Sequence, residues 1–250
     1  MTYRSGAILV LVGASIWSLM GLVLRQIETA DTWQVLLWRS IGAAAVLGAW
    51  VAITSGGQPL RQIRATGRAG VIGGLALVAA FGGAIYAIQT TTVANAVFLF
   101  SASPFLAALM GWLVLREPVR PATWAAMALA GAGMWIMVRE GLSAGALAGN
   151  LAALGSALGF ATFTVALRHG HLKDTMPVSL LGCIFSAGVA ALVLLARGTP
   201  LLPPLPDLVL ATALGAVVLA LGMILYTLGS RVLPAAEATL LSLIEVLLAP

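Results

Sequence analysis

The sequence predicts an all-α polytopic membrane protein made of two inverted five-helix repeats, an architecture of ten helices of which about nine are present. Three observations predict it. Of the 250 residues 61% are hydrophobic and 8% charged, with a mean hydropathy of +1.06, whereas a soluble domain carries roughly 25% charged residues. Apolar runs of about 20 residues recur along the chain, the length at which a helix crosses the hydrocarbon layer while satisfying its own backbone. The second half also repeats the pattern of the first at a nearly constant offset. The same composition excludes intrinsic disorder and a nucleic-acid-binding arm, and the single Cys183 excludes an intrachain disulfide scaffold.

The spans read, in order, as 6–24, 34–54, 69–88, 92–115, 122–138, 146–167, 176–196, 207–229 and 233 to the end. The first follows Arg4 and closes at Arg25; it is too long for a signal core and lacks a small-x-small cleavage site, so it is read as a retained helix. The second ends at Ser55-Gly56-Gly57 with Pro59 beyond it, and the third is rich in glycine (Gly73, Gly74, Gly82, Gly83), which permits close helix approach. The fourth carries Pro104 in its middle, a predicted kink, and stops at Arg116-Glu117-Pro118. The fifth ends at Arg139-Glu140-Gly141, and the sixth holds the small-x-x-x-small pair Gly155 and Gly159 before the polar stretch Arg168 to Asp174. The seventh ends before Gly198 to Pro206, where four prolines forbid helix, and the eighth precedes a last run that is still apolar at Pro250.

Cations set the orientation. With the N-terminus cytoplasmic, the inner connections hold 9 Lys and Arg residues and the outer ones 3, Arg39 lying inside span two, which the positive-inside rule favours. An inner (plasma) membrane location follows as the expectation.

Gly6 to Arg25 can be laid on Gly149 to Arg168 without a gap, and Asn95 to Ala107 on Glu237 to Ala249 at almost the same offset. Span one would start inside and span six outside, so residues 1–140 and 141–250 read as inverted copies, the second incomplete at its C-terminus. Span four continues past the residue matching Ala249, so the natural reading frame is expected to continue through the rest of span nine and a tenth span. Inverted repeats characterise carriers whose halves rock about a site near the midplane.

The stretch Thr91-Thr92-Val93-Ala94-Asn95-Ala96 through Ser103-Pro104 to Leu115-Arg116-Glu117-Pro118, followed by the Gly-rich 128–133 helix, resembles the repeat signature of the EamA-type drug/metabolite transporters. Arg39 after a Trp in span two, and Leu241 to Pro250 in span nine, are similar to that family's second helix and second-repeat motif, although many members have Pro directly after the span-nine Glu where this chain has Val246. The resemblance implies ten helices, cytoplasmic termini, a cavity lined by helices 1, 3, 4, 6, 8 and 9, and movement of small metabolites. By the same resemblance Trp17, Tyr86 and Tyr226 belong to cavity-lining helices; interfacial anchoring is the other reading of the tyrosines.

Two ionisable residues lie within spans, where a charge costs about 2.5–3.5 kcal/mol on insertion scales. Glu245 reads either as a carboxyl whose protonation follows substrate or as a structural lock, with Thr239 and Ser242 extending a polar stripe beside it and Glu237 solvated near the inner end. Arg39 reads either as a residue snorkelling to the headgroups or as a bidentate partner for a substrate carboxylate; facing one cavity, the pair would suit a zwitterion such as an amino acid. Asn95, with Phe98 and Ala102 on its face, offers a hydrogen bond and an aromatic wall, or helix-to-helix glue.

His169, His171 and Asp174 lack a full ligand set for a metal, and no phosphate loop or haem motif occurs. With no histidine in any span to serve Ser101 or Ser103 as base, an enzyme is not expected. No cofactor is expected. The expected partners are a small-molecule substrate, a coupling proton and the lipid bilayer, with no nucleic acid and a homodimer left open; a nucleotide-sugar or multidrug-type carrier and a non-transporting scaffold or sensor are the alternatives.

Overall fold

The computed structural model describes residues 2–248 apart from 117, 118, 120, 144–146, 173, 231, 234–240, 242 and 243. Among these residues the chain is helical throughout, with no strand. Helix α1 (Tyr3–Arg25) begins at Thr2, whose hydroxyl accepts from the Ser5 amide while Ser5 Oγ accepts from the Thr2 amide, satisfying two donors that a helix start leaves open. Helix α2 (Thr32–Thr54) follows Asp31, whose amide donates to Gln34 Oε1 at 2.9 Å. A short helix α3 (Pro59–Ala65) occupies the connection to α4 (Gly67–Thr90).

Span four is two helices, α5 (Val93–Phe100) and α6 (Ser103–Leu115), rather than one kinked helix. Pro104 sits in the first turn of α6, where its missing N–H costs nothing. The predicted kink is therefore a break at Ser101 and Ala102. Helices α7 (Pro121–Ser143), α8 (Leu147–His169) and α9 (Met176–Arg197) are continuous, α9 ending at Gly198 with φ +66°. Span eight is composite: α10 (Leu205–Ala213), a π-helical segment over Leu214–Leu221, and α11 (Gly222–Ser230). A final short helix covers Ile244–Leu248.

Among the described residues seven segments are long and apolar enough to cross a membrane: α1, α2, α4, Val93–Leu115, α8, α9 and Leu205–Gly229. The fifth run, within the 23-residue α7, contributes the shorter apolar stretch Thr123–Ile136.

Packing follows a simple exchange rule. Span three packs on six and span one on eight; span three packs on seven and span eight on two; span four packs on six and the Ile244–Leu248 helix on span one. Replacing each span number by the one five removed turns every pair into another pair, and the remaining large contact, two with seven, maps onto itself.

Glycines make four of these contacts intimate. A Cβ on Gly13 would stand 2.9 Å from the Gly222 carbonyl oxygen, one on Gly159 2.7 Å from that of Ala76, and one on Gly83 2.7 Å from that of Ala152. Gly215 lies directly on the Arg39 carbonyl, and Leu77 fills the space beside Gly182. Spans one, two and eight thus touch backbone to backbone, as do three and six, with seven fitted against three. Between two and seven the contact is made by side chains: Ala43, Leu47 and Val51 meet Met176, Leu180 and Cys183. Gly155, expected to pair with Gly159 at a helix contact, has nothing within 4 Å and faces outward; Ser156 instead meets Gly83.

Candidate functional site

Arg39 is placed by α2 in the middle of the packed spans. It is 3% exposed, so its stem does not reach for the headgroups. The guanidinium lies over the Phe81 ring at 4.8 Å from its centroid. Phe81, on α4, borders three of the apolar clusters of the core, the only side chain in that position among the described residues. Nε and Nη1 of Arg39 are buried and have no hydrogen-bond partner among the described residues. A desolvated cation–π contact is worth about 2 kcal/mol, while the effective penalty for burying an unpaired ion is several kcal/mol. The ring offsets only part of the cost, and the guanidinium lacks an anion.

Helix α9, which packs on α2, carries Ser179, Cys183 and Ser186, all at most 1% exposed. At spacings of four and three they share one helix face, and Cys183 lies within electrostatic reach of Arg39. The Ser179 and Ser186 hydroxyls have no partner. Other hydroxyls in spans behave differently: Thr162, Thr164 and Thr212 donate to the carbonyl one turn back, at 2.8, 2.9 and 2.7 Å. The two serines keep their hydrogen-bonding capacity.

The remaining predicted residues separate into smaller groups. Trp17 stacks on Tyr226 with centroids 5.4 Å apart and planes tilted by 37°, seated where Gly222 has no side chain. Its indole Nε1 is buried and unpartnered among the described residues. Tyr226 is half-buried and packs on Val10 and Leu233. Tyr86 is 39% exposed at the far end of α4. Asn95 is half-buried with its amide donating to the capping Thr92 hydroxyl; Phe98 turns outward toward Gly133 of α7, while Ala102 is buried, so the three do not form one wall.

Glu245 is half-buried in the Ile244–Leu248 helix, which packs on α1. No ion pair joins it to Arg39 among the described residues. Ser242, Thr239 and Glu237 lie outside the described residues.

One end of the bundle is closed by polar ties that the sequence reading missed. Asp207, 5% exposed, accepts from the Thr29 amide (3.0 Å), the Thr29 hydroxyl (2.5 Å) and the Ala30 amide (2.8 Å). Gln34 Nε2 donates to the Pro200 carbonyl and Trp38 Nε1 to that of Leu201, binding the α1–α2 corner to the α9–α10 connection. Arg25 reaches the Thr91 carbonyl, and the Thr91 hydroxyl donates to Asn150 Oδ1. At the opposite end Gln62 donates to Asp174. Only the residue types could have signalled the first group: Asp207 stands alone as an acid at the mouth of a span.

Residues 4–139, more than half of the chain, match the family model described as the EamA-like transporter family. The chain belongs to that family. Nothing among the curated proteins matches it. A solved structure, described only as the crystal structure of a protein, is similar over 98% of this chain and 85% of its own, at 20% identity and a TM-score of 0.62, which shows a shared fold.

An EamA-like protein is a multi-pass membrane transporter of the drug/metabolite type. The matched stretch contains Trp17, Arg39, Phe81, Tyr86, Asn95 and Phe98. The α9 serines, Tyr226 and Glu245 lie beyond it, so the Arg39 group joins residues from inside the matched stretch to residues outside it.

Proposed function

We propose that this EamA-like protein is a secondary transporter that moves a small organic metabolite by alternating access, and that its two moving bodies each mix the chain's two halves. Spans one, two and eight, with the Ile244–Leu248 helix, form one body; spans three, four, six and seven form the other. The observation that carries the reading is the division of contacts: spans one and two meet eight, and three meets six, backbone to backbone, Leu77 of three is seated on Gly182 of seven, and spans two and seven meet through larger side chains on both faces. Backbones in contact move together, whereas side-chain contacts can slide or part. Arg39 of the first body rests on Phe81 of the second, so the buried charge straddles the boundary.

The exchange rule of the packing supports residues 1–140 and 141–250 as inverted repeats, and such repeats place the solute near the midplane between moving parts. The positive-inside count argues for an inner membrane with the N-terminus cytoplasmic, in which case the Asp207 end faces outward and is closed in this conformer. In this reading Glu245 is the site at which a coupling proton acts, with Trp17 and Tyr226 on the same body. The test is solute flux into vesicles reconstituted with the purified chain. A cross-link between Ala43→Cys and Cys183, across the boundary, should stop that flux and a reductant should restore it. Full flux in the cross-linked protein would refute the two-body motion.

A further inference from the structure

We propose that the solute this transporter carries presents a carboxylate, and that it docks on the guanidinium of Arg39 with the Ser186 hydroxyl of α9 adding a hydrogen bond. The proposal rests on the transporter reading, which it narrows to a substrate class. Its basis is an accounting of polar atoms. Buried hydrogen-bonding groups are nearly always satisfied, and each exception calls for an explanation. Here four exceptions lie on the two helices that meet at the boundary: two guanidinium nitrogens on α2 and two hydroxyls on the α9 face that carries Cys183, itself within electrostatic reach of Arg39.

The chemistry of the four atoms selects the ligand. The guanidinium end formed by Nη1 with Nη2 offers two parallel N–H donors in one plane, the geometry that a carboxylate accepts with both oxygens. Each oxygen has a further lone pair, and a serine hydroxyl free of its own helix can donate to it. The Phe81 ring, 4.8 Å from the guanidinium, supplies no hydrogen-bond acceptor to those nitrogens. A cationic solute would meet a like charge, and a neutral one could accept a hydrogen bond but would leave the charge without a counter-charge. The α2 and α9 groups belong to different moving bodies, so an anion bridging them is held most tightly when the boundary is closed and is released as it parts.

The experiment uses the full chain purified in detergent and thermal unfolding as the readout, since a ligand that binds the folded state raises its Tm. Acetate, lactate and benzoate are each compared with acetamide, lactamide and benzamide at about 10 mM and equal ionic strength. At least one carboxylate should raise Tm by about 3 °C more than its amide, which corresponds to roughly tenfold tighter binding. Arg39→Gln should abolish the difference and Ser186→Ala should reduce it severalfold. Arg39→Lys, which keeps the charge and loses the planar fork, should retain only a minor part. Chloride or phosphate giving the same shift as every carboxylate, or no carboxylate exceeding its amide, overturns the proposal; so does a difference that persists in Arg39→Gln. Arg39-dependent binding without flux of any bound carboxylate into vesicles would leave the anion site standing and refute the transport reading. Flux of a solute without any Arg39-dependent preference would do the reverse.

Discussion

Replacing Gly215 by alanine tests whether spans two and eight form one body. The added methyl would lie on the Arg39 carbonyl oxygen, 2.7 Å from its carbon and 2.9 Å from the Ala43 nitrogen. Carbon contacts are comfortable at about 3.5–4.0 Å, so α2 and span eight must separate by roughly an ångström. The atoms in the way are backbone, and no rotamer change can clear them. Overpacking of this kind costs about 1–3 kcal/mol, and for a chain of this size each kcal/mol lowers Tm by about 2–4 °C. Thermal unfolding in detergent should therefore show a drop of roughly 2–12 °C. Gly155→Ala is the control, because it is also within a helix but has nothing within 4 Å; higher helix propensity should leave it neutral or stabilised by up to about 1 kcal/mol. Equal Tm values for the two variants would show that the close approach of span eight to α2 is not a feature of the protein.

Three further outcomes are expected. Asp207→Ala removes the acceptor shared by Thr29 and Ala30 and should cost about 1–3 kcal/mol in detergent unfolding; an unchanged Tm would show that water replaces the carboxylate at no cost. Glu245→Gln keeps size and polarity without titrating, so insertion and yield should match the parent while the pH dependence of vesicle flux disappears; an unchanged pH profile would remove Glu245 from coupling. For the orientation, cysteines at exposed Arg64 and at Leu202, 62% exposed, should react from inside only and from outside respectively in intact cells, and the reverse pattern would invert the topology.

Hydropathy made the spans legible because lipid demands unbroken apolar helices, and it made Arg39 conspicuous because a charge there is costly. The same property hides most internal detail. A run such as Leu214 to Leu221 is equally apolar whether its backbone is α or π, so the π segment leaves no compositional trace. The break at Ser101 and Ala102 was visible only as the neighbouring Pro104, which reads as a kink when its position relative to a helix start is unknown. Phe81 looked like any apolar residue of span three; its role comes from which span lies across from it. Ser179 and Ser186 gave no signal either, since a serine in a span ordinarily bonds its own helix. Gly155 and Gly159 show the opposite error, in which a pattern matched a packing motif and only one of its two members makes the contact.

The hydrogen bonds of Asp207 also have a bearing on how the chain is made. They join residues 177 and 178 positions apart. As the protein emerges from the ribosome and enters the bilayer span by span, the first hairpin is threaded long before its acidic partner has been synthesised. The Thr29 and Ala30 amides must be tolerated without protein acceptors through five further insertions. They can be, because their corner lies at the end of the bundle, where water supplies temporary acceptors, and not within the hydrocarbon, where none exist. Arrival of span eight then displaces that water and fixes the first hairpin against the second half of the chain. A nascent chain stalled just before Leu205 should therefore hold its early spans inserted but its first corner open to hydrogen exchange, and closing that corner marks the arrival of span eight.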